Sequence, residues 1–515
     1  MKKFLAFFLA AAMVLGAGTA LAANTVELST ATSGVSTVYW GPVFSRHSSG
    51  LSAYVVTGAI FNAASKLDAG TTLYAISNTL TNTDGTELRV QALKFVSGAT
   101  PIGPPQLISG TTTTVVLYVL APGDERVGSS ATDSGNTLYI IDGGTGTLYH
   151  ELGIPGNGLG YAAFPASSGA YDLANAGSSP YCLAPVTIDN ENTSYSGATI
   201  FGITSAGVTN SVGDSGISIW AVSAQTGTYT TNSSGNSNVT GFPSASGVSV
   251  IHTAPVISGD SLFVIGYSST GSGNTIFQFA KNNIYNGIVT SATVGLNADL
   301  SNQWIPTPCV SGGSIFVVDN EGGVSSFRTD NLSLNYGVRY TGSRITTGVT
   351  AAPVTDGTYI VVCSTSAVTC FKLDNLSQAA TSSAAQWAYD FGANKSIWAT
   401  PAISGGYVWV TVNDTLRNTS TTYRFELAST ASNGGIAQIN TYGDLTYGDP
   451  ILVDSAVWTV SYDPVVRKIA DSHGDAKDYW PQLKFDKAKT GNNTDTDDVE
   501  PTTDDGGCFI STIIN

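Results

Sequence analysis

A phrase that recurs along the chain decides the fold: residues 254–264 read APVISGDSLFV, and residues 307–317 read TPCVSGGSIFV. Shorter copies read APVTDG at 352–357 and TPAISGG at 400–406. In each copy a proline precedes two apolar residues, a Gly or Asp turn follows, and a β-rich run comes next. Weaker copies centre on Pro42, Pro105, Pro185 and Pro450. Successive prolines are 63, 80, 70, 53, 45, 48 and 49 residues apart, so the last four units are the most regular.

The strands after the phrase repeat as well, because SFRTDNLS at 326–333 matches CFKLDNLS at 370–377. Each unit reads as strand, turn, strand, turn, strand, with apolar residues alternating at a period of two. Repeats of about 45 residues with about four short strands are typical of a β-propeller, whose blades bury their faces against one another in a ring. The sequence therefore predicts an all-β fold, a single β-propeller of eight, alternatively seven, four-stranded blades. The eighth unit is short and is completed either by 24–29 or by a later C-terminal strand.

Composition excludes several other classes of protein. The 515 residues include 21 Lys+Arg and 37 Asp+Glu, which gives a net charge of −16. The few basic residues are nowhere clustered, and we expect no nucleic-acid partner. An apolar fraction of 42% argues against a disordered chain, and 57 glycines argue against a coiled coil.

The first 23 residues have the pattern of a secretory signal peptide. A basic start at 1–3 precedes an apolar run from Phe4 to about Leu15, and small residues follow. We place cleavage after Ala22 or Ala23, so residues 1–23 are the signal peptide. No later apolar run is long enough to cross a membrane, and we expect no transmembrane segment in the mature chain. These features predict an exported bacterial protein that is periplasmic, cell-surface or extracellular.

The propeller is predicted to span 24–491, and residues 492–515 are predicted to be an acidic, disordered tail. The tail is rich in Asn, Thr and Asp and ends in GGCFISTIIN at 506–515. This ending resembles a short Cys-Phe-Ile motif near the C-terminus of some exported bacterial proteins. Cys508 is therefore a candidate for processing or attachment; the alternative is an unpaired thiol in the tail.

The repeat resembles that of the pyrroloquinoline-quinone-dehydrogenase-like (PQQ-like) β-propeller proteins. That family pairs a Pro-Val-x-x-Gly strand with a strand ending in Ala-x-Asp-x-x-Thr-Gly. DGGTG at 142–146 fits this ending, and AVSAQTG at 221–227 fits it with Ser in place of Asp. WPQLKFDKAKTG at 480–491 is similar to a segment that flanks many such propellers. The resemblance covers about 26–491 and implies the propeller fold.

The chain departs from the quinone enzymes of this family in two respects. The family's Trp that docks between blades is retained only at Trp387, while Tyr149 and Tyr229 lie near two other expected positions. The adjacent Cys-Cys pair of the quinone enzymes is missing. A shared fold does not imply a shared activity, so we predict no catalytic residue, no cofactor and no metal site.

An aromatic residue or His stands two to four residues before the repeat proline in six of the eight units. In a propeller this stretch leads into the innermost strand, and equivalent positions ring one face around the axis. Exposed aromatic rings there would form a binding face; the alternative is that they pack between blades as core. The ligand-binding candidates are Trp40, Tyr181, His252, Trp304, Trp398 and Tyr447.

Two cysteines flank a short predicted hairpin. Cys363 and Cys370 are a candidate disulfide pair, since an oxidising compartment would let them join. The alternative is two buried free thiols. No Cys/His spacing typical of a zinc or haem site occurs in the sequence.

These observations favour a non-catalytic exported propeller that acts as a binding or scaffold module at the bacterial cell envelope. The expected partner is a protein or polysaccharide of the envelope. Two alternatives are a periplasmic scaffold like the propeller of the outer-membrane assembly machinery, and a quinone-dependent oxidoreductase.

Overall fold

The computed structural model describes most of the strand-rich part of the chain. The described ranges are 24–27, 41–47, 50–58, 71–77, 89–96, 100–101, 103–108, 113–120, 136–154, 186–189, 197–204, 214–243, 248–251, 253–268, 273–294, 307–318, 323–338, 351–376, 385–453, 455–462, 465–473 and 492–493. The predicted signal peptide, Trp480 and Cys508 lie outside them.

The described strands form eight sheets, which are the blades of a β-propeller. Blade 1 contains β2 (Val43–His47), β3 (Gly50–Thr57), β4 (Thr71–Ser77) and β5 (Arg89–Val96). Blade 2 contains β6 (Thr100–Pro101), β7 (Gln106–Ile108), β8 (Thr114–Leu120), β9 (Asn136–Asp142) and β10 (Leu148–Ile154). Blade 3 contains β11 (Thr187–Asp189), β12 (Thr199–Thr204), β13 (Asp214–Ser223) and β14 (Val239–Pro243). Blade 4 contains β15 (Val248–Ile251), β16 (Val256–Ser258), β17 (Ser261–Ser268), β18 (Gly273–Ala280) and β19 (Ile288–Thr293).

The second half of the chain continues the pattern. Blade 5 contains β20 (Cys309–Ser311), β21 (Ser314–Val318), β22 (Val324–Arg328) and β23 (Leu334–Val338). Blade 6 contains β24 (Val354–Thr355), β25 (Tyr359–Cys363), β26 (Ala367–Lys372) and β27 (Trp387–Asp390), with the one-turn helix α1 (Leu373–Leu376) between the last two. Blade 7 contains β28 (Lys395–Ser396), β29 (Ala402–Ser404), β30 (Tyr407–Asp414), β31 (Thr419–Glu426) and β32 (Ala437–Tyr442). Blade 8 contains β33 (Ile451–Leu452), β34 (Ala456–Val460) and β35 (Val465–Ala470).

The eighth blade is completed by the N-terminal strand β1 (Asn24–Glu27). It pairs antiparallel with β35, so that Val26 lies opposite Val466. The structure therefore adopts the first of the two closures that the sequence left open, and the eight-blade count is confirmed. Because the outer strand of blade 8 comes from the opposite end of the chain, the two ends of the repeat array are joined by backbone hydrogen bonds.

The repeat prolines mark the start of the inner strands. Seven of the eight stand immediately before an inner strand, and Pro185 stands two residues before β11. Proline has no backbone N–H to donate to a ladder, so the first position of a strand is one of the few places where it is tolerated. The inner strands lie beside one another around the axis, as the contacts of β29 with both β24 and β33 illustrate.

Buried apolar side chains hold neighbouring blades together. The rings of Phe44 in blade 1 and Trp458 in blade 8 meet edge to face at 5.1 Å, which closes the ring. Gly41 lies against the backbone of Asp449, where an added Cβ would come 2.1 Å from the carbonyl oxygen. Buried side chains and close backbone packing therefore join the first and last blades.

The predicted Asp-x-x-Thr-Gly turn forms as a tight connection between β9 and β10. The Asp142 carboxylate accepts hydrogen bonds from the backbone N–H groups of Gly144 and Thr145, both at 2.8 Å, and from the Tyr149 hydroxyl. Gly146 adopts a φ of 73°, a conformation that favours glycine. In blade 3 the Oγ of Ser223 replaces this carboxylate and accepts a longer bond of 3.4 Å from Thr226.

A short final strand, β36 (Asn492–Asn493), pairs parallel with β16. The first two residues of the predicted tail are therefore strand residues, and the rest of the tail lies outside the described residues. Within the described ranges, no helix is both long and apolar enough to cross a membrane.

Candidate binding face

Trp398 occupies a break in the inner edge of blade 7. The short strand β28 pairs with the end of β30 through Lys395 and Asp414, and β29 pairs with its beginning through Ala402 and Trp409. The intervening residues leave the sheet, which places the indole of Trp398 at the end of the blade. Its Nε1 donates to the Ser396 Oγ at 3.0 Å, and half of the residue, 50%, is exposed.

Two tyrosines stand beside Trp398 and form with it the aromatic cluster. The ring centroids of Trp398 and Tyr447 are 6.5 Å apart, and those of Tyr447 and Tyr462 are 5.6 Å apart with an edge-to-face arrangement. Tyr447 lies in the connection from β32 to β33, and Tyr462 lies in the turn between β34 and β35. Burial, and then the neighbouring Tyr462, raise the pKa of Tyr447, so this phenol is neutral at physiological pH.

The loops that carry the cluster are fixed by buried hydrogen bonds. The Asn413 side chain donates to the Thr446 carbonyl at 2.9 Å and accepts from the Thr446 N–H at 2.8 Å. The Tyr462 N–H donates to the Leu445 carbonyl at 2.8 Å, which ties the turn of blade 8 to the connection from blade 7. The carboxylate of Asp449 accepts from the Thr400 N–H at 2.7 Å. These bonds place the three rings on one end of blades 7 and 8, which we call the upper face.

Charges on the upper face are paired with one another. Lys395 contacts Asp414 at 2.6 Å, and this hydrogen bond is the main cause that lowers the pKa of the Asp414 carboxyl. The turn after Asp414 carries Leu416, which is 78% exposed, and Arg417, which contacts Asp414 at 3.5 Å. The upper face thus offers exposed apolar and aromatic groups with a rim of paired charges.

Two of the six predicted ligand-binding candidates are described, and the structure brings them together. Trp398 and Tyr447 come from consecutive repeat units, and their ring planes are tilted by 58°. Their role in binding a ligand stays a prediction. The other four candidates lie outside the described residues: Trp40, Tyr181, His252 and Trp304. Sequence reasoning missed Tyr462, because it sits in a turn that is not part of the repeat phrase; its only signal is the turn sequence Ser-Tyr-Asp-Pro at 461–464.

The candidate disulfide between Cys363 and Cys370 is not formed, and the structure has the alternative that the sequence left open. Both residues are buried free thiols. Cys363 lies opposite Val368, and Cys370 lies opposite Val361, so the two cysteines are diagonal neighbours on one sheet face. Diagonal positions are farther apart than the Cβ separation of about 3.5–4.5 Å that a disulfide requires. Burial raises the pKa of both thiols, which makes them unreactive.

Trp387 docks between blades as the family resemblance implies. Its ring stacks on Phe425 of blade 7 with centroids 5.1 Å apart and an angle of 11°, and its Nε1 donates to the Leu427 carbonyl at 3.1 Å. Tyr229 is partly buried against the core between blades 2 and 3, whereas Tyr149 is exposed. The docking role is therefore carried by Trp387 alone among these three residues.

One polar cluster joins blades 7 and 8 at a distance from the upper face. Asp471 accepts hydrogen bonds from the Trp409 Nε1 at 3.0 Å and from Arg424 at 2.7 Å, and His473 lies beside it. Burial alone would raise the pKa of Asp471, but hydrogen bonds from His473 and Trp409 and the charge of Arg424 together lower it. In the described part of the chain, no three His, Cys, Asp or Glu side chains come together as a metal site.

Comparison with known proteins supports the fold. Neither a protein-family model nor a curated protein matches the sequence. Among solved structures, Sqt1 of Saccharomyces cerevisiae matches with a TM-score of 0.50 and 9% identity over 86% of this chain and 98% of that chain. The C-terminal WD40 domain of Sif2 matches with a TM-score of 0.48 and 10% identity over 87% and 98%. BamB from Moraxella catarrhalis matches with a TM-score of 0.46 and 12% identity over 88% and 99%. At 9% identity, the likeness to Sqt1 concerns the fold alone.

Proposed function

We propose that the chain is a non-catalytic, exported β-propeller that binds a protein partner of the cell envelope through its upper face. One observation carries this proposal: the half-exposed indole of Trp398 donates a hydrogen bond to Ser396 and lies beside Tyr447, whose ring in turn contacts Tyr462. An exposed Trp gains free energy when a partner covers it, and a ring that is already fixed loses little conformational entropy on binding.

The composition of the upper face favours a protein over a polysaccharide. Trp, Tyr and Arg are the residues most enriched at the energetic centres of protein interfaces, and apolar groups surrounded by polar ones are typical of such patches. Leu416 and Arg417 follow Asp414 in an exposed turn of blade 7 and add an apolar and a basic side chain to this face. A polysaccharide, which would stack on the Trp and Tyr rings without needing Leu416, is the other outcome of the test.

Export is supported by the position of the first strand. Strand β1 begins at Asn24, immediately after the predicted cleavage site at Ala22 or Ala23. A mature chain that starts at Asn24 retains the four described residues that pair with β35, Asn24–Glu27. The outer-membrane assembly scaffold and the quinone-dependent oxidoreductase are alternatives; an absorbance band that shifts on adding quinone and calcium would identify the oxidoreductase.

A pull-down from cell-envelope extract tests the proposal with the mature chain as bait. We expect Trp398→Ala to weaken capture of the partner by at least tenfold, since central aromatic contacts contribute about 2 kcal/mol or more. The matched control is Leu334→Ala, which removes a side chain that is 60% exposed on β23, away from the upper face.

Treating the extract before capture separates the two classes of partner. Protease should abolish the captured species, and glycan hydrolysis should not. Equal capture by wild type and Trp398→Ala would refute the assignment of the upper face. Loss of capture only after glycan hydrolysis would replace the protein partner by a polysaccharide.

A further inference from the structure

The C-terminal strand β36 lies on the inner edge of blade 4. Asn492 is the partner of Ile257, and Asn493 is the partner of Ser258, in a parallel arrangement. The opposite edge of β16 is already paired with β17, through Ile257 with Leu262 and Ser258 with Ser261. Strand β36 must therefore lie on the side of β16 that faces the axis of the propeller.

Strand β36 also contacts the inner strand of blade 3, so it lies between two blades. It contacts β11 as well as β16. These two inner strands are linked to each other, because the Thr187 hydroxyl donates to the Pro255 carbonyl at 2.5 Å. The position of β36 is therefore defined by two neighbouring strands rather than by one edge.

The inner strands surround the central channel of the propeller, and most of them are as uncharged as strand β36. The inner strands of blades 4 to 7 read VIS, CVS, VT and AIS and carry no charge. That of blade 3 reads TID, and the charge of its Asp189 is paired with Lys281 at 3.0 Å. Asn492 and Asn493 are small and neutral and follow Gly491, while the acidic residues begin only at Asp495. A strand edge binds such a segment through main-chain hydrogen bonds, and it needs no charged partner.

We propose that the axis-facing edge of β16 is a strand-binding site, and that its occupant is the chain's own segment Asn492–Asn493. The docked segment extends the sheet of blade 4 by one strand in the central channel and fixes the origin of the acidic tail there. This site is separate from the upper-face cluster of blades 7 and 8, and it stands whether or not that cluster binds a partner.

Cysteine cross-linking in the full chain tests the register. Neighbouring strands are about 4.8 Å apart, which is within the Cα separation of about 4.4–6.8 Å that a disulfide spans. We expect Ser258→Cys with Asn493→Cys to form a disulfide under mild oxidation, identified as a cross-linked peptide by mass spectrometry. The matched control is Ser311→Cys with Asn493→Cys, because Ser311 ends the inner strand of blade 5 as Ser258 ends that of blade 4.

We expect the cross-link yield of the Ser258 pair to exceed that of the Ser311 pair at least tenfold. Equal yields in the two pairs, or no cross-link at 258, would overturn the proposal.

Hydrogen exchange provides a second test that needs no new cysteine. In the full chain, Asn492→Pro with Asn493→Pro removes two backbone donors, and proline fits poorly in a paired strand. Successive amides of a strand point to opposite edges, so one of the amides of 257 and 258 points toward β36. We expect that amide to exchange at least tenfold faster than in wild type, while the other, which points toward β17, should change less. The control Asp497→Pro lies outside the paired residues and should leave these rates unchanged.

The same proline variant also tests whether the edge of β16, once β36 has left it, binds a peptide. A labelled synthetic peptide with the sequence of residues 486–497 should bind it saturably and bind the wild-type chain at least tenfold more weakly. Unchanged exchange, or equal peptide binding by the two proteins, would overturn the proposal.

Discussion

At the scale of single residues, the contact between Trp387 and Gly434 shows how one blade fits against the next. Gly434 has a φ of 65°, and a Cβ added to it would lie 2.7 Å from the Trp387 ring. The ring itself is stacked on Phe425 and held by a hydrogen bond, so it has no room to move. The sequence indicates the docking Trp through its motif, but it gives no sign of the glycine more than forty residues later that the ring requires.

We expect Gly434→Ala to destabilise the protein more than Gly406→Ala. Both glycines have positive φ, which costs an alanine about 1–2 kcal/mol. Only Gly434 also meets a buried ring, and such overpacking costs a further 1–3 kcal/mol or so. Urea unfolding of the two variants measures the difference directly. Equal free energies of unfolding would mean that the Trp387 ring moves aside at no cost.

The buried carboxylate of Asp471 predicts a specific dependence of stability on pH. Its pKa in the folded protein is lowered from the ordinary 3.8, so its contribution is complete above that pH and is lost as the pH falls through the folded value. We expect Asp471→Asn to cost about 1.5–3 kcal/mol at pH 7, the usual contribution of hydrogen bonds to a charged group. The difference from wild type should shrink at pH 3.

Denaturant unfolding at the two pH values checks this expectation. Asp374→Asn serves as the control, because Asp374 pairs with Lys372 on the surface and should change stability by less than about 1 kcal/mol at either pH. A cost for Asp471→Asn that is the same at pH 3 and pH 7 would show that the altered hydrogen bonding of the amide, and not the loss of charge, is responsible.

At the scale of elements, the sequence predicts where the inner strands begin. It does not predict the register of the strands that pair with them or the breaks along their edges. The prolines locate the inner strands because a missing N–H restricts proline to strand starts. The free thiols of Cys363 and Cys370 depend on a two-residue offset in register, which the length of the turn at 364–366 decides. The break between β28 and β29 that exposes Trp398 recurs between β6 and β7 and between β15 and β16, although the repeat phrase itself does not reveal it.

The turn between β9 and β10 makes a prediction about the element that the family motif describes. Asp142→Ala removes the acceptor for two backbone N–H groups and should cost about 1–2 kcal/mol. Asp142→Ser should recover part of this loss, because Ser223 fills the equivalent position in blade 3. Thermal unfolding of both variants measures the recovery. If the melting temperature of Asp142→Ser is no higher than that of Asp142→Ala, the negative charge of Asp142 is essential in blade 2.

At the scale of the whole molecule, the ring is closed by backbone pairing and by side-chain packing together. Strand β1 supplies the fourth strand of blade 8, while Phe44 and Trp458 join blades 1 and 8. Repeat counting predicts the number of units, and the shortness of the last unit indicates that another segment must complete it. Which end of the chain does so depends on where the two termini meet in space, and that is a property of the folded ring.

Removing Asn24–Glu27 from the mature chain should open this closure. The loss of four paired residues leaves β35 as an exposed edge, and at about 0.5–1 kcal/mol for each we expect a loss of roughly 2–4 kcal/mol. An uncovered edge also favours pairing between chains, so the truncated protein should self-associate more than the full mature chain. Differential scanning calorimetry and sedimentation velocity measure the two effects.

A point variant and a rescue separate loss of pairing from loss of chain length. Val26→Pro keeps the length but disrupts the pair with Val466, and it should reproduce most of the destabilisation, whereas Val26→Thr should not. A synthetic peptide with the sequence NTVELS of residues 24–29 should raise the melting temperature of the truncated chain, because it can occupy the vacant edge of β35. A truncated chain that melts like the full one would mean that packing between Phe44 and Trp458 closes the ring without the N-terminal strand.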